Sequence, residues 1–352
     1  MIRFHWKHIA IALAILPFVA VFVAWIGFFN IGASTGHWKI TEWFLHLAMR
    51  SAVRTYSLAV EVPERLPIEG IQPAAGHFAR GCAICHGAPG EPRSPSVLQM
   101  LPRPPDLAPV MGAWTDAELF RIVKYGVRFT GMPAWPTQER DDEVWAMVAF
   151  LRALPQMDAR IYRELAIGGE GGAAMPANDF EIALADCARC HGRDGRGRSE
   201  RVPIISGQRQ EYLRASLEAF AERKRPSGVM ELAAVEADPR LFSDLARHFA
   251  SQPPVSAPAA GSSDAARGRE IAERGIPERK VPACLSCQGG APRNPIYPKL
   301  DGQHAGYLKT QLRLFAEGKR GGTSYAHLME QTARSLEADE IEDLAAYFSS
   351  AK

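Results

Sequence analysis

Neither sign of charge is in excess in this 352-residue chain: 41 Lys and Arg against 39 Asp and Glu leave a formal net charge of +2. Nothing in that balance calls for a nucleic-acid partner. No segment alternates apolar and polar residues convincingly, so a sheet-built fold is not expected. Cysteine is scarce. The six that occur all fall in three Cys-X-X-Cys pairs, which argues against a distributed disulfide framework. The pairs stand in widely separated segments and make no obvious four-ligand zinc site. No strand–helix–strand context surrounds them, as a thioredoxin-like redox pair would need.

Two of the pairs run directly into a histidine, as Cys82-Ala83-Ile84-Cys85-His86 and Cys187-Ala188-Arg189-Cys190-His191. That spacing lets two thiols bond the two vinyl groups of one haem, with the histidine next in line to ligate the iron. The third pair, Cys284-Leu285-Ser286-Cys287-Gln288, has glutamine at that place. A haem iron that carries electrons takes a second axial ligand. Methionine suits it, because its soft thioether favours ferrous iron and raises the reduction potential. In the first segment the candidate is Met132, between Gly131 and Pro133, which fix a tight extended loop; Met111 is the fallback. In the second it is Met230, the only methionine between Met175 and Met329, and in the third it is Met329. Pro104-Pro105-Asp106-Leu107 is expected to help wall the first haem. Trp114 and Arg128 are candidates to reach a propionate, a solvated arginine being the alternative.

The N-terminus carries a membrane signal. Ile9 to Phe29 contains no charged residue and as a helix would be about 31 Å long, enough to cross the hydrocarbon core. Arg3 and Lys7 precede it, which puts the N-terminus in the cytoplasm and the remainder on the periplasmic side. The expectation is a single-pass inner-membrane anchor over residues 1–30. A cleaved signal peptide is the rival; its apolar stretch should be about 7–15 residues and end at a small-residue site, and Gly32-Ala33-Ser34 keeps that reading open. Residues 31–69 form a juxtamembrane segment. Ile40, Trp43, Phe44 and Leu47 there recur as the apolar stripe of an amphipathic helix. Trp38 and Trp43 suit a bilayer interface. Packing of the stripe on the first globular domain reads equally well, and a docking surface for a membrane partner is a third option.

Two linkers, Gly168 to Ala174 and Ser251 to Ser263, are flexible by composition. They cut the remainder into segments 70–160, 175–252 and 264–352, each with one cysteine pair near its start. The last two are internal repeats. Gly207-Gln208, Tyr212-Leu213, Leu217, Phe220-Ala221-Glu222 and Lys224-Arg225 return at one constant offset as Gly302-Gln303, Tyr307-Leu308, Leu312, Phe315-Ala316-Glu317 and Lys319-Arg320. At a slightly longer offset Met230-Glu231, Asp244-Leu245-Ala246 and Phe249 return as Met329-Glu330, Asp343-Leu344-Ala345 and Phe348. The helical spacing of Leu213, Leu217 and Phe220 predicts helices throughout. The expected fold is all-α: an N-terminal transmembrane helix followed by three small helical domains, each too small to bury a large core without a cofactor.

Residues 70–157 resemble a class I cytochrome c domain through Cys82, Cys85, His86 and Gly87 and through Thr130-Gly131-Met132-Pro133-Ala134-Trp135. Residues 175–350 resemble the tandem domains of the periplasmic di-haem class I cytochromes of the c-four type, through Cys187, Cys190, His191, the Gly-Gln-X-X-X-Tyr-Leu helix starts and Met230. The resemblance implies covalent haem c, with His86 and Met132 on one iron and His191 and Met230 on another, and electron transfer without substrate turnover. It implies redox partners such as a dehydrogenase, a quinol-oxidising complex or a terminal oxidase, with the lipid bilayer as the other contact. Domain three departs from the family at Gln288. Three outcomes are open: a domain without haem, a haem on Cys284 and Cys287 with Met329 alone and an open site, or a substitute ligand such as His304 or His327. The open site motivates an alternative function, ligand binding or peroxidase-like activity.

Overall fold

The computed structural model describes residues 6–28, 30–168, 178–257, 265–288 and 294–351. Most of the first linker, residues 258–263 of the second, and Met175 lie outside the described residues. Among the described residues every regular element is helical, and the remaining backbone pairing amounts to two isolated bridges. The all-α expectation holds. The α-helices are α1 (Trp6–Trp25), α2 (Lys39–Ser57), α3 (Ile71–His77), α4 (Ala83–His86), α5 (Asp116–Tyr125), α6 (Asp141–Ala153), α7 (Ala159–Ile167), α8 (Asp179–His191), α9 (Gln210–Ala221), α10 (Gly228–Glu236), α11 (Phe242–Ser251), α12 (Ala265–Arg274), α13 (Leu285–Gln288), α14 (Ala305–Ala316), α15 (Ala326–Ala333) and α16 (Ala338–Ser350).

Local sequence sets where several of these begin. Thr115 and Glu118 form a reciprocal capping box at α5, while Asp158 and Asn178 accept from the first turns of α7 and α8; each satisfies backbone donors that a helix start leaves free. α1 is apolar, exposed and long enough to cross a membrane by length and composition. α2 divides into two halves. Its later part packs on α5, where Arg50 lies over the Trp114 ring at 4.8 Å and Arg121 over Tyr56 at 4.9 Å. Its earlier part leaves Ile40, Trp43, Phe44 and Leu47 exposed.

The first domain packs α3, α6 and α7 around Phe78, whose ring lies 5.0 Å from Phe150 and meets Tyr162 edge-on at 6.2 Å. The second has its core in Leu184, Leu213, Leu245, Ala246 and Phe249. The third uses Ile271, Ala272, Leu308, Leu344, Ala345 and Phe348. Leu213, Leu245, Ala246 and Phe249 are the repeat counterparts of Leu308, Leu344, Ala345 and Phe348, so the repeated apolar positions are the two cores.

The repeated polar positions do something else: they join the domains. Gln208 donates from Nε2 to the Lys299 carbonyl and accepts from the Lys299 amide at 3.0 and 2.8 Å. Gln303 does the same with Ile204 at 2.9 and 2.8 Å. Ile204 and Lys299 are themselves repeat counterparts, so the seam has approximate two-fold symmetry, as an isologous interface does. Arg225 reaches across to Tyr307 and Arg320 to Tyr212 in the same reciprocal way. The chain between the repeats runs along this seam. Pro254 packs against Gly207, Ser256 against Gly302, and the Ala257 amide donates to the Gly302 carbonyl at 2.7 Å.

The candidate haem sites

In the first domain the thiols sit on a π turn, Phe78–Cys82, and the short helix α4 that follows it. His86 Nδ1 donates to the Pro105 carbonyl at 2.9 Å. That bond fixes the ring and leaves Nε2 for a metal, the usual role of the second nitrogen in a ligating histidine. The proline loop is in turn held by Arg93, which donates to the Pro104 carbonyl at 2.6 Å. Burial pulls the His86 pKa below its ordinary value and pushes the Cys82 thiol up to about 12. Met132 sits half-buried in a loop closed by its own hydrogen bonds: its amide donates to Thr130 Oγ1 at 3.1 Å and its carbonyl accepts from Val127 at 3.2 Å. Met111 is instead a core residue, 4% exposed. Trp114 lies under Arg50.

In the second domain α8 carries Cys187, Cys190 and His191 on its last turn. His191 Nδ1 donates to the Pro203 carbonyl at 3.3 Å, repeating the arrangement of His86 and Pro105. Burial drives the His191 pKa down to about 4, against the pull of the Pro203 bond, and pushes Cys187 up to about 11. In both histidines burial favours the neutral imidazole, the form that binds a metal. Met230 lies in the first turn of α10, whose start is capped by Ser227. The Ser227 hydroxyl donates to Glu143 Oε1 at 2.6 Å and the Gly228 amide to Glu143 Oε2 at 2.7 Å. A first-domain carboxylate thus fixes the helix that carries the second-domain methionine. Burial raises the Glu143 pKa, and the ion pair with Arg140 at 2.9 Å opposes it.

In the third domain Cys287 and Gln288 lie on α13, and burial pushes the Cys284 thiol up to about 11. Gln288 faces Met329, with Nε2 4.0 Å from Sδ. Its Oε1 is buried without a hydrogen-bond partner. His304 and His327 do not line this site. His304 turns to the Arg196 carbonyl at 3.4 Å and His327 to Ser324 at 3.1 Å.

A cavity of about 710 Å³ joins the last two sites, within the ~300–1,000 Å³ of small-molecule sites. Its lining brings together Cys187, Cys190, His191 and Met230 with Cys284, Cys287, Gln288 and Met329. It does not reach Cys82, Cys85, His86 or Met132. None of the six cysteines is joined to another in a disulfide. Among the described residues no three His, Cys, Asp or Glu side chains converge as a metal ion alone would need.

Sequence reasoning missed Glu143, His77, Trp135, Arg225 and Arg320 as site residues. The His77 and Trp135 rings lie 4.4 Å apart, tilted by 39°, where the first domain meets the second, and His77 Nδ1 is buried without a partner. In the same place a Cβ on Gly76 would come within 2.9 Å of Cys190 Sγ. The sequence signal for Arg225 and Arg320 was their repetition.

Helical domains that present a thiol pair followed by an imidazole with its Nδ1 tied to a proline carbonyl define a c-type cytochrome. Residues 70–151 match the family described as cytochrome C oxidase, cbb3-type, subunit III. The chain is 32% identical over 197 residues to a cytochrome c-552 from Acidithiobacillus ferridurans, covering 53% of this chain and 84% of that one. It is 32% identical to a thiosulfate dehydrogenase electron acceptor from Stutzerimonas stutzeri strain A1501, covering 58% and 93%. It is 31% identical to a cytochrome c4 from Stutzerimonas stutzeri, covering 52% and 92%. The chain belongs to the class I c-type cytochromes of this multi-haem kind, a family that carries covalently bound haem c.

Proposed function

We propose that the chain is a membrane-held electron carrier of the periplasmic face, passing electrons between a respiratory donor and an acceptor such as a terminal oxidase. In this reading Cys82 and Cys85 hold one haem c between His86 and Met132, and Cys187 and Cys190 hold a second between His191 and Met230. Bound haem supplies a one-electron iron couple. The residues around it fix the ligands and exclude water. Pro105 and Pro203 orient the imidazoles, and Ser227 with Glu143 positions the helix of Met230. The observation that carries the reading is the pair of histidines directly after the two thiol pairs, each with Nδ1 bonded to a proline carbonyl and Nε2 left for iron. The close approach of Gly76 to Cys190, beside His77 and Trp135, supports transfer between the first two domains. A relative named as the electron acceptor of thiosulfate dehydrogenase supports a dehydrogenase as donor.

Anaerobic rapid mixing tests this. The reduced haem bands should appear when the detergent-extracted chain meets a thiosulfate dehydrogenase or a quinol-oxidising complex, and should decay on mixing with terminal oxidase. Failure with every donor would sink the carrier reading. The α1 anchor predicts that the chain stays with membranes after carbonate extraction; recovery in the soluble fraction would refute it.

A further inference from the structure

Domain three retains the surroundings of a haem site although its motif lacks histidine. Cys284, Cys287, Gln288 and Met329 share one cavity with the second-domain ligands. In the cavity the glutamine amide nitrogen donates to the methionine sulfur at 4.0 Å, so both side chains enter the same space. The cavity also leaves Gln288 Oε1 buried with no donor to meet it. An acceptor withdrawn from water in this way is costly, and in a native structure it calls for a partner.

The seam between the repeats adds an independent observation. Arg225 and Arg320, one from each repeat, are buried in the cavity wall. Among the described residues neither meets a carboxylate at ion-pair distance. Arg225 donates to Ser216, Tyr307 and Gln311. Arg320 donates to Gln311, Tyr212 and the Gly321 carbonyl. Burial, then the neighbouring Arg225, brings the Arg320 pKa down to about 10. Burial raises Tyr212, but Arg225 and Arg320 outweigh it and bring that phenol to about 8. Both guanidiniums are thus buried against hydroxyl, amide and carbonyl partners alone, and an anion brought beside them would stabilise buried charge of this kind. The propionates of haem are such anions. A guanidinium from each side of a two-fold seam suits acids arriving from both sides.

We infer that domain three is a third haem site: Cys284 and Cys287 form its thioethers, Met329 and the Gln288 carboxamide oxygen face the iron, and Arg225 and Arg320 hold propionates at the seam. The inference rests on the reading of the first two domains as haem domains. Each thiol adds across one vinyl double bond, sulfur to the inner carbon and hydrogen to the outer, so no oxidant or reductant is consumed. An amide oxygen is a harder and weaker donor to iron than imidazole, so this site is expected to be ferric high-spin where the other two are low-spin.

The test is made on the full chain extracted from membranes. Pyridine haemochrome and intact mass give the haem count, and thiol titration after denaturation gives the unmodified cysteines. Three haems and no free thiol are expected. Two haems with two free thiols would overturn the inference and leave the first two domains as read. A count of zero or one would overturn that earlier reading and this one with it. Electron paramagnetic resonance then isolates Gln288. One high-spin and two low-spin ferric signals are expected, with Gln288→His converting the first to low-spin at an unchanged haem count. Three low-spin signals in the unaltered chain would refute the glutamine ligand. Arg320→Gln should lower the reduction potential of at least one of the two haems at the seam, and unaltered potentials would refute the propionate role.

Discussion

The two seams of this molecule are built on different principles. The seam between the second and third domains is reciprocal: Gln208 and Gln303 each take both backbone groups of the facing residue, and Arg225 and Arg320 cross it in opposite directions. The seam between the first and second domains is one-sided and charged. Arg80 pairs with Asp186 and, at 2.6 Å, with Glu236. Glu143 caps α10, and Gln72 donates to the Arg189 carbonyl at 3.1 Å. The first seam joins two copies of one sequence, and the second joins unlike surfaces. The difference teaches that the repeat and the first domain were fitted together by different residues, so their loss should show differently.

The largest expected effect is at Glu143. Replacing it with alanine removes the acceptor at the start of α10 and leaves buried Arg140 with Asp142 as its remaining carboxylate, a loss that approaches but does not exceed the about 3–5 kcal/mol of a fully broken buried pair. The change should be read as an earlier urea midpoint together with weakening of the methionine–iron charge-transfer band that the proposed Met230 ligation would give. An unchanged band would mean that the first domain does not position that ligand.

His77 comes next. Burial, with a smaller push from Arg80, lowers its pKa to about 4 from 6.5. A buried neutral histidine binds fewer protons than its unfolded counterpart between those values. Its stability contribution is therefore present above pH 6.5 and is lost as pH falls toward 4, about 3 kcal/mol in all. Urea unfolding of the chain and of His77→Gln across that window should show the acid-side loss shrinking in the variant. Parallel curves would place the titration elsewhere.

Gln208→Ala and Gln303→Ala should each cost about 1–3 kcal/mol by leaving a backbone amide and carbonyl unpaired, part-buried at Lys299 and buried at Ile204. If the seam is as symmetric as it looks, the two losses agree within error; a clear inequality would break the comparison. The smallest effect is expected at Ser227→Ala, roughly 1 kcal/mol for a lost helix cap. α15, which carries Met329, starts at Tyr325 without a side-chain cap. A glycine or alanine at position 325 should therefore lose little through capping.

What was legible in the sequence was local. The thiol pairs and their histidines are neighbours in the chain, so spacing alone identifies them. Met230 and Met329 stand out as candidates because the repeat aligns them. The same repetition exposed Gln208 and Tyr212 while hiding their purpose: they look like helix starts, and only the packed structure shows them as seam residues. Glu143 and His77 left no trace: Glu143 acts on Ser227 and Gly228 of another domain, and no periodicity encodes such a contact. The apolar stripe of α2 was legible as amphipathic. That its later half would pack on α5 through Arg50 and Tyr56 was not.

The proline- and alanine-rich chain between the repeats has the composition of a loose tether, yet residues 254–257 are pinned at the glycine turn of each repeat. A tether absorbs motion, but a strap fastened at both ends transmits it. Rotation of one repeat must drag the other, so the separation of the two sites in the shared cavity becomes a mechanical constant of the chain.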